Sequence, residues 1–459
     1  MNVLGTESCP QHVAIVGSGP SGFYSAEALI RSGLKLKINL LERLPSPFGL
    51  VRSGVAPDHP KLKQSIQVFE KIASSPQFNF IGNVNVGKHI SIEELKQHHH
   101  IVIFTCGAET DRKLGIPGED LPGSHTATEF IGWYNSHPDY RERVFDLSNE
   151  TAVIIGQGNV TADVARILSK SVDELKQTDI AEHALDCLAQ SKLRNIYVIG
   201  RRGPAQAKFT SKELKEFGQL KLCDPFIDPE ELQLNNASEL ELAEKTNVGN
   251  KKVYEILQGY AAQTTHDKQR CCHFTFLKGP TSIIGSNKVE KVILEKNKLC
   301  GEAFSQWAEG TGSNIELETG LLFRSIGYRG IPIPGVPFDE KKGVFPSIDG
   351  RIIDSEKQTI PQLYAAGWIK RGPSGIIGTN RADAIATVSS IVEDLEHIQL
   401  DEEKKGAEGI YKALEERKVR SISFSDWKKI DQCEIERGQA KQKPREKFTS
   451  IKEMLAILD

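Results

Sequence analysis

The stretch VAIVGSGPSGFYSAEALIRSG, residues 13–33, decides the fold of this 459-residue chain. An apolar segment typical of a buried strand runs into a glycine-rich turn, and a helical pattern of apolar residues follows at once. A second apolar run, LKINLLE, ends at Glu42. Together these segments predict a complete βαβ unit of about 30 residues, the unit that opens a dinucleotide-binding fold.

Three glycines in the first turn each meet a different steric demand of dinucleotide binding. Gly17 permits the tight turn, Gly19 lets the backbone approach a pyrophosphate, and Gly22 permits close packing of the helix on the sheet. Glu42, at the end of the second strand, would accept a hydrogen bond from a ribose 2′-hydroxyl. A glycine fingerprint alone also arises by chance, but strand, helix and acid all fall in place, so we predict a dinucleotide site.

The same pattern recurs in TAVIIGQGNVTADVARIL, residues 151–168. A strand precedes Gly156 and Gly158, and a helix follows them, which predicts a second nucleotide site. The next strand, RNIYVIG (194–200), ends about 40 residues after the glycine turn instead of the usual ~20. Residues 169–193 therefore contain an insertion, which we expect to be helical and amphipathic.

Arg201 and Arg202 follow this second strand, where the first unit carries an acid. Two guanidinium groups suit the dianionic 2′-phosphate of NADP, so the sequence favours NADPH over NADH. The alternative interpretation is a solvated basic turn after an ordinary strand.

The rest of the chain returns to the first unit. Residues 101–120 contain a strand that leaves the first nucleotide fold, and residues 359–395 form another strand, glycine turn and helix. We therefore expect a first dinucleotide-binding domain made of residues 1–109 and 330–459, with a second, NADP-binding domain, residues 110–329, inserted in it.

Other segments carry weaker signals. Residues 224–260 are polar and helical in pattern, HFTFLKG and KVEKVILEK indicate strands, and the chain from about residue 400 is charged and helical. We expect the clustered lysines near the C-terminus to form a solvated face. The run His98-His99-His100 is interpreted as a solvated helix end, because three consecutive side chains do not converge on one metal ion.

Composition excludes several classes of protein. The 58 basic and 61 acidic residues give a net charge of −3, which argues against general affinity for nucleic acid. No uncharged apolar run approaches the roughly 18–20 residues that cross a bilayer. The segment before the first strand has no arginine and no apolar core, so neither a transit peptide nor a secretory signal is visible.

The cysteines point to an organic redox cofactor. None of them forms a Cys-x-x-Cys or Cys-x-x-x-x-Cys motif, so zinc, iron–sulfur and redox-disulfide sites lack their usual spacing, and we expect no metal. The cysteines are Cys9, Cys106, Cys187, Cys223, Cys271, Cys272, Cys300 and Cys433. We expect the adjacent pair Cys271-Cys272 to be reduced. Two nucleotide turns without a metal favour hydride transfer from NADPH to a flavin.

At this point the chain resembles the adrenodoxin reductase family from about residue 12 to its last helix. The motifs that carry the resemblance are FGLVRSGVAPDHPKLK (48–63), GQGNVTADVARIL (156–168), RRGPAQAKFTSKELKE (201–216), GWIKRGPSGIIGT (367–379), SFSDWKKID (423–431) and RGQAKQKPREK (437–447). The resemblance implies an α/β, glutathione-reductase-like fold of two Rossmann-like dinucleotide-binding domains, one nested in the other. It also implies an FAD enzyme that takes a hydride from NADPH and passes single electrons to a [2Fe–2S] ferredoxin.

The resemblance also assigns residues. The FAD positions are Gly17, Gly19, Ser21, Gly22, Glu42, Leu50, Val86, Trp368, Gly375, Ile376 and Ile377, with Ser21 in place of the usual alanine. The NADP positions are Gln157, Gly158, Asn159, Val160, Arg201, Arg202, Glu213 and Gly375. His59, Asp163 and Glu216 match catalytic positions beside nicotinamide and flavin. Hydride transfer needs no proton donor, so we expect these three to position groups and tune charge.

The implied partner is an acidic ferredoxin that docks at Lys215, Lys251 and Lys252, where lysine replaces some of the family's arginines. Exposed lysines there would mainly raise the association rate. The family implies a mitochondrial location, on the matrix side and peripheral to the inner membrane, with the cytoplasm as the alternative. Two other functions stay open: a flavin-dependent monooxygenase and a non-catalytic NADPH-binding protein.

Overall fold

The computed structural model describes residues 10–265, 267–395 and 403–459. The strands of this described part are β1 (Gln11–Val16), β2 (Leu36–Leu41), β3 (Phe78–Ile81), β4 (Ile101–Phe104), β5 (Thr110–Asp111), β6 (Ser124–Thr126), β7 (Thr151–Ile155), β8 (Asn195–Ile199), β9 (Cys223–Phe226), β10 (Arg270–Thr275), β11 (Lys278–Ile284), β12 (Lys291–Cys300), β13 (Trp307–Glu318), β14 (Leu321–Arg324), β15 (Tyr328–Arg329), β16 (Ser347–Ile348), β17 (Arg351–Ile353) and β18 (Thr359–Ala365).

Helices separate most of these strands. They are α1 (Pro20–Arg31), α2 (Leu50–Ser53), α3 (Pro60–Lys63), α4 (Ser65–Ala73), α5 (Ile92–His98), α6 (Ala127–Tyr134), α7 (Asn159–Ser169), α8 (Val172–Leu175), α9 (Glu182–Ala189), α10 (Ser211–Glu216), α11 (Asn236–Ala243), α12 (Val248–Ala261), α13 (Trp368–Arg371), α14 (Ile377–Asp394), α15 (Ala407–Glu416), α16 (Phe424–Gln439) and α17 (Ile451–Ala456). Short 3-10 turns lie at Pro138–Tyr140, Pro204–Gln206, Phe217–Gln219, Pro229–Leu232 and Lys245–Asn247.

The first large sheet has the strand order β16-β17-β18-β4-β1-β2-β3. The five strands from β18 to β3 are parallel, and β16 and β17 add an antiparallel edge. The central strands β1 and β4 are almost continuously apolar because helices cover both faces of a parallel sheet. Helix α1 begins directly after the first glycine turn, with Pro20 in its first turn, where a missing N–H is tolerated.

The second large sheet, β6-β14-β7-β8-β10-β9, is parallel throughout. Its strands lie between residues 124 and 324, whereas the first sheet takes its strands from residues 11–104 and 347–365. The expected α/β architecture of two Rossmann-like units, one nested in the other, is confirmed. The antiparallel pair β5–β15 lies where the chain enters and leaves the inner unit, and β11, β12 and β13 form a separate antiparallel sheet.

The insertion in the second unit is helical, as expected: α8 and α9 lie between α7 and β8. Both helices turn an apolar side toward the core of the inner unit, where Leu175, Ala184 and Leu188 are buried. The seven cysteines that the structure describes are all free thiols, and Cys9 lies outside the described residues, as does most of the segment in which no signal peptide is visible. No helix of the described chain is long and apolar enough to cross a membrane.

The expectation of a solvated histidine run is wrong for two of its three members. His98 ends α5, but His99 and His100 are buried beneath the start of β1. The amide nitrogen of His12 donates to Nδ1 of His100, and Asn39 contacts Nε2 of His99. Burial accordingly lowers the pKa of His99 to about 3. The local pattern identified the helix end but not the sheet that packs on it.

The solvated face expected for the C-terminal lysines is also only partly correct. Lys443 and Lys447 are 6% and 2% exposed. Nζ of Lys447 lies 3.1 Å from Asp179, and Nζ of Lys63 lies 2.6 Å from the same carboxylate. Burial lowers the pKa of Lys447 to about 7, although the charge of Asp179 opposes the shift. Asp179 therefore joins the insertion of the inner unit to two segments of the outer one.

We expect Asp179→Asn to destabilise the protein strongly. The substitution leaves Lys63 and Lys447 buried without their carboxylate, and breaking a buried ion pair from one side costs on the order of 3–5 kcal/mol. Urea unfolding followed by circular dichroism measures the shift in midpoint. Asp173→Asn is the matched control, because Asp173 pairs with Lys176 at the surface of the same insertion. Equal midpoints for the two variants would show that the buried cluster stabilises the protein no more than the exposed pair of Asp173 and Lys176 does.

Candidate functional site

The first glycine turn has the shape of a pyrophosphate cradle. Gly17 has φ of +107°, and a Cβ there would lie 2.8 Å from the backbone of Cys106. A Cβ on Gly22 would lie 2.2 Å from the carbonyl oxygen of Gly17. Around Gly19, in contrast, nothing lies within 4 Å of the position of a Cβ. The turn is thus closed toward the protein and open where a phosphate would approach the first turn of α1.

Glu42 is held at the mouth of this turn. One carboxylate oxygen accepts hydrogen bonds from the amide and hydroxyl of Ser18, at 3.1 and 2.6 Å, and the other accepts from the amide of Leu44 at 3.0 Å. The orientation of the Glu42 carboxylate is therefore fixed before any ribose binds. Leu50 also lies near this turn, because it follows Gly49, whose Cβ position lies 3.0 Å from Cα of Gly19.

Other predicted FAD positions reach the same turn from distant parts of the chain. The amide of Val84 donates to the carbonyl oxygen of Glu42, which brings the segment of Val86 alongside. Gly367, next to Trp368, has a Cβ position only 2.0 Å from Oγ of Ser21. After α13 the loop passes through Gly375 to Ile376 and Ile377 at the start of α14, which packs on α1.

The second glycine turn repeats the design in the inner unit. Gly156 has φ of +148°, and a Cβ there would meet the carbonyl oxygen of Ser325 at 2.2 Å, whereas the Cβ position of Gly158 has no neighbour closer than 4.0 Å. Asn159 begins α7, and its side chain accepts from the amide of Thr210. The described geometry therefore presents a second open helix N-terminus, formed by Gln157, Gly158, Asn159 and Val160.

Arg201 and Arg202 lie directly beyond β8. The backbone carbonyls of both residues are tied to the inner unit, since Arg201 accepts from the side chain of Asn297 and Arg202 accepts from the amide of Leu277. Arg201 is exposed and Arg202 is half-buried. A fixed backbone with guanidinium groups that reach solvent suits a phosphate ligand.

His59, Asp163 and Glu216, predicted from three separate segments, converge on one cluster. Nε2 of His59 lies 2.9 Å from Glu216, and Nδ1 lies 3.9 Å from Asp163. Glu213, predicted as an NADP contact, belongs to the same cluster, with a carboxylate oxygen 3.6 Å from Nε2 of His59. His59 is 7% exposed, so its imidazole is buried within this cluster.

Arg166 lies at the centre of this cluster and is fully buried. Its guanidinium contacts Asp58 with two hydrogen bonds of 2.8 and 2.9 Å and Asp163 with one of 2.7 Å. Further ion pairs reach Glu213 at 3.3 Å and Glu216 at 3.4 Å. Asp58 and His59 belong to the outer unit and the others to the inner one, so the cluster spans the junction of the two.

Comparisons with known proteins agree with this geometry. Residues 15–80 match the family model of an NAD(P)-binding Rossmann-like domain. The mitochondrial NADPH:adrenodoxin oxidoreductase of Arabidopsis thaliana is 44% identical over 98% of this chain and 95% of the relative. NADPH-ferredoxin reductase FprA of Mycobacterium tuberculosis is 43% identical over 98% of this chain and 99% of its own length.

The solved structure of Mycobacterium tuberculosis FprA in complex with NADPH superposes with a TM-score of 0.91, at 42% identity over 98% of this chain and 99% of that one. The chain belongs to the adrenodoxin reductase family. This membership confirms the resemblance that the sequence motifs carry.

The sequence motifs of the adrenodoxin reductase family contain two site residues that our prediction missed. Asp58 precedes His59 in the DHP turn, and Arg166 lies three residues after Asp163 on α7. The spacing of Asp163 and Arg166 places both on one helix face, which is a usable signal. Nothing local indicates that Asp58, 108 residues earlier, is the main partner of Arg166.

Burial and neighbouring charges shift the pKa values of the residues in this cluster. Burial alone would lower the pKa of His59, but the hydrogen bond to Glu216 and nearby acids raise it above its ordinary value of 6.5. Burial raises the pKa of Asp163 and of Glu213. Asp58 keeps a pKa well below its usual range because Arg166 and Lys170 outweigh the effect of burial.

His59, Glu213 and Glu216 also bring three metal-ligating atoms within 4.8 Å of one another. The carboxylate oxygens of both acids that face His59 already contact the guanidinium of Arg166. A cation would therefore compete with a buried positive charge, and the arrangement suits an ion-pair network better than a metal site.

We expect Glu216→Gln to lower the pKa of His59, because the amide keeps a hydrogen-bonding group but removes the negative charge 2.9 Å away. In the native protein, the stabilisation from charged His59 is fully present below pH 6.5 and is lost as pH rises through the raised pKa. NMR titration of the imidazole measures the shift. Glu316→Gln is the control, because Glu316 pairs with Lys291 on an exposed strand far from the cluster in sequence. An unchanged titration of His59 in Glu216→Gln would contradict the assigned cause.

Proposed function

We propose that this chain is an NADPH-dependent ferredoxin reductase, which transfers a hydride from NADPH to FAD and single electrons onward to a [2Fe–2S] ferredoxin of the adrenodoxin type. The observation that carries the proposal is the contact of His59 with Glu216, which joins two units that each contain an open glycine turn. Membership of the adrenodoxin reductase family supports the same reaction.

The first turn fits the pyrophosphate of FAD, because the turn leaves free space at Gly19 and is crowded at Gly17 and Gly22. Bound there, FAD would accept the two electrons of a hydride and release them one at a time. Glu42, Leu50 and Val86 would hold the cofactor on one side. On the other side would lie Trp368 and the segment Gly375, Ile376 and Ile377, in which Ile376 is 71% exposed and free to pack on a ring.

His59, Asp163 and Glu216 act through position and charge in this proposal. Their buried network fixes the outer unit against the inner one, so that two cofactors bound at the two turns keep a constant distance. The charged imidazole also offsets part of the negative charge of the surrounding carboxylates. We assign residues 1–109 and 330–459 to the FAD domain, which contains the first glycine turn, and residues 110–329 to the NADP domain, which contains the second.

The direct test is a spectrum of the purified protein. We expect bound FAD that bleaches with NADPH under anaerobic conditions and regains its colour when a [2Fe–2S] ferredoxin and cytochrome c are added. FAD that does not bleach would favour a non-catalytic NADPH-binding protein. Rapid reoxidation by air through an oxygenated flavin, with no response to ferredoxin, would favour a monooxygenase.

Arg201 and Arg202 are proposed to select NADPH. Each charge-assisted hydrogen bond to the 2′-phosphate is worth roughly 1.5–3 kcal/mol, so replacing both arginines by alanine should raise the KM for NADPH by about a hundredfold or more. The KM for NADH should hardly change. Arg194→Ala is the control, because Arg194 is exposed just before β8 and pairs with Glu150. Equal losses with NADPH and NADH would show that the arginine pair supports the fold.

Ferredoxin docking is proposed at Lys215, Lys251 and Lys252, which are exposed on α10 and α12. The two helices pack together, and α10 also carries Glu216 of the buried cluster, so the lysines lie on helices next to the junction. Such charges steer an acidic partner and act less at high salt.

We expect Lys251→Glu with Lys252→Glu to slow ferredoxin-dependent reduction of cytochrome c, most clearly at low salt, while reduction of ferricyanide by NADPH stays near its original rate. Lys412→Glu with Lys418→Glu carries the same charge change in and just after α15, which packs on α5. Loss of both activities would make the lysine pair structural, and equal slowing in the control would indicate net charge alone.

A mitochondrial location is proposed from relatives whose names carry the word mitochondrial. The finer position, on the matrix side and peripheral to the inner membrane, is part of the same proposal. Relatives from Mycobacterium keep the cytoplasm as the alternative. Fractionation of cells that express the full chain, with blotting of each fraction, decides between the two.

A further inference from the structure

Arg371 ends α13 and ties together the loop that follows it. Its guanidinium donates to the carbonyl oxygen of Ser374 and, at 3.2 Å, to the hydroxyl of Ser374. The indole of Trp368 donates to the same carbonyl oxygen at 3.1 Å. The loop Gly372–Ile376, which we propose to lie along the flavin, is thus held at its middle by two side chains of α13.

The other end of the guanidinium reaches a buried amide. The second terminal nitrogen of Arg371 donates to Oδ1 of Asn380 at 2.7 Å, and Asn380 is 7% exposed on α14. The same oxygen accepts from the hydroxyl of Ser21 at 3.2 Å. A continuous chain of hydrogen bonds therefore runs from the first glycine turn, through Asn380 and Arg371, to Ser374.

Close packing restricts the residues that form this chain of hydrogen bonds. A Cβ on Gly367 would lie 2.0 Å from Oγ of Ser21, so α13 begins in direct contact with the glycine turn. The Nε atom of Arg371 is buried and has no hydrogen-bond partner among the described residues, and Asp383 lies 4.0 Å away. The guanidinium is therefore held between Ser374 and Asn380, with the carboxylate of Asp383 nearby.

We propose that Arg371 is a positioning residue for the flavin, and that with Asn380 and Ser21 it fixes the loop Gly372–Ile376 relative to the first glycine turn. This inference rests on the proposed function, because it assigns the glycine turn to the pyrophosphate of FAD and the loop to its flavin ring. Arginine suits the role because its planar fork serves Ser374 and Asn380 at once, whereas one ammonium group does not span both.

This arrangement gives the hydroxyl of Ser21 a structural role. An alanine there would fill the turn but would remove the hydroxyl that reaches Asn380. Ser21 and Arg371 contact the same oxygen, so their effects on the loop should be coupled and not additive.

The test uses the complete, FAD-loaded protein with Arg371→Lys, Ser21→Ala and the double variant. Arg371→Lys loses charge-assisted hydrogen bonds that hold the loop, and this loop carries Gly375, a proposed contact of both cofactors. We therefore expect the variant to shift the visible absorption of bound FAD and to raise the KM for NADPH about tenfold. The thermal midpoint should change little. Ser21→Ala should produce a smaller shift of the same kind, and the double variant should show less than the combined effect.

Arg381→Lys is the matched control, because Arg381 lies one residue after Asn380 on α14 but pairs with Glu27 at the surface. It should leave the spectrum and the KM unchanged. Loss of FAD from Arg371→Lys, with Arg381→Lys fully loaded, would also support the positioning role. If Arg371→Lys fails to fold, Asn380→Ala cuts the same chain of hydrogen bonds from its other end and is measured in the same way.

A native spectrum and native KM in Arg371→Lys would overturn the inference, as would an equal change in Arg381→Lys or strict additivity in the double variant. An unmodified protein that carries no FAD would instead refute the proposed function. The two failures are therefore distinguishable.

Discussion

The buried guanidinium of Arg166 is the group on which the junction of the two nucleotide units depends. Asp58, Asp163, Glu213 and Glu216 all lie within 3.4 Å of it, and His59 and Lys170 also contact carboxylates of this group. Because four carboxyl groups share so little positive charge, they do not all keep ordinary acidity. The hydrogen bonds of Asp58 with Arg166 and of Glu216 with His59 outweigh burial and lower those two pKa values, whereas burial raises the pKa values of Asp163 and Glu213.

This arrangement fixes geometry more than it adds stability. Burying ions costs several kcal/mol each, which their mutual attraction only partly offsets, so the network is a poor way to gain stability and a good way to specify one docking of the two units. The Asp179 cluster has the same character, since Lys63 and Lys447 approach one carboxylate from the outer unit. Together the two clusters hold the inner unit at separate points, and a hydride-transfer enzyme with two bound cofactors needs that constancy of distance.

The insertion between α7 and β8 shows how a departure from the usual spacing contributes to the assembly. Its helices add apolar residues to the core of the inner unit, and its connecting segment carries Asp179. The C-terminal segment reaches the same place, where Nζ of Lys443 donates to the carbonyl oxygen of Ile180. The segment between α16 and α17 is therefore part of the contact between units, and the family motif at residues 437–447 has a structural meaning.

The sequence by itself determined the features that depend on neighbours along the chain. Each βαβ unit, the closed positions at Gly17 and Gly156, the helical insertion and the arginine pair after β8 follow from local patterns, because strands, turns and helices are set by residues a few positions apart. The tertiary structure alone decided which charged and polar groups are buried. Asp58 meets Arg166 across 108 residues and Lys447 contacts Asp179 across a longer span, while His99 and His100 lie under a strand formed at the other end of the domain. A lysine or histidine has the same local pattern whether solvent or a distant carboxylate surrounds it, so its partner, and with it its charge, is fixed only when the chain is folded.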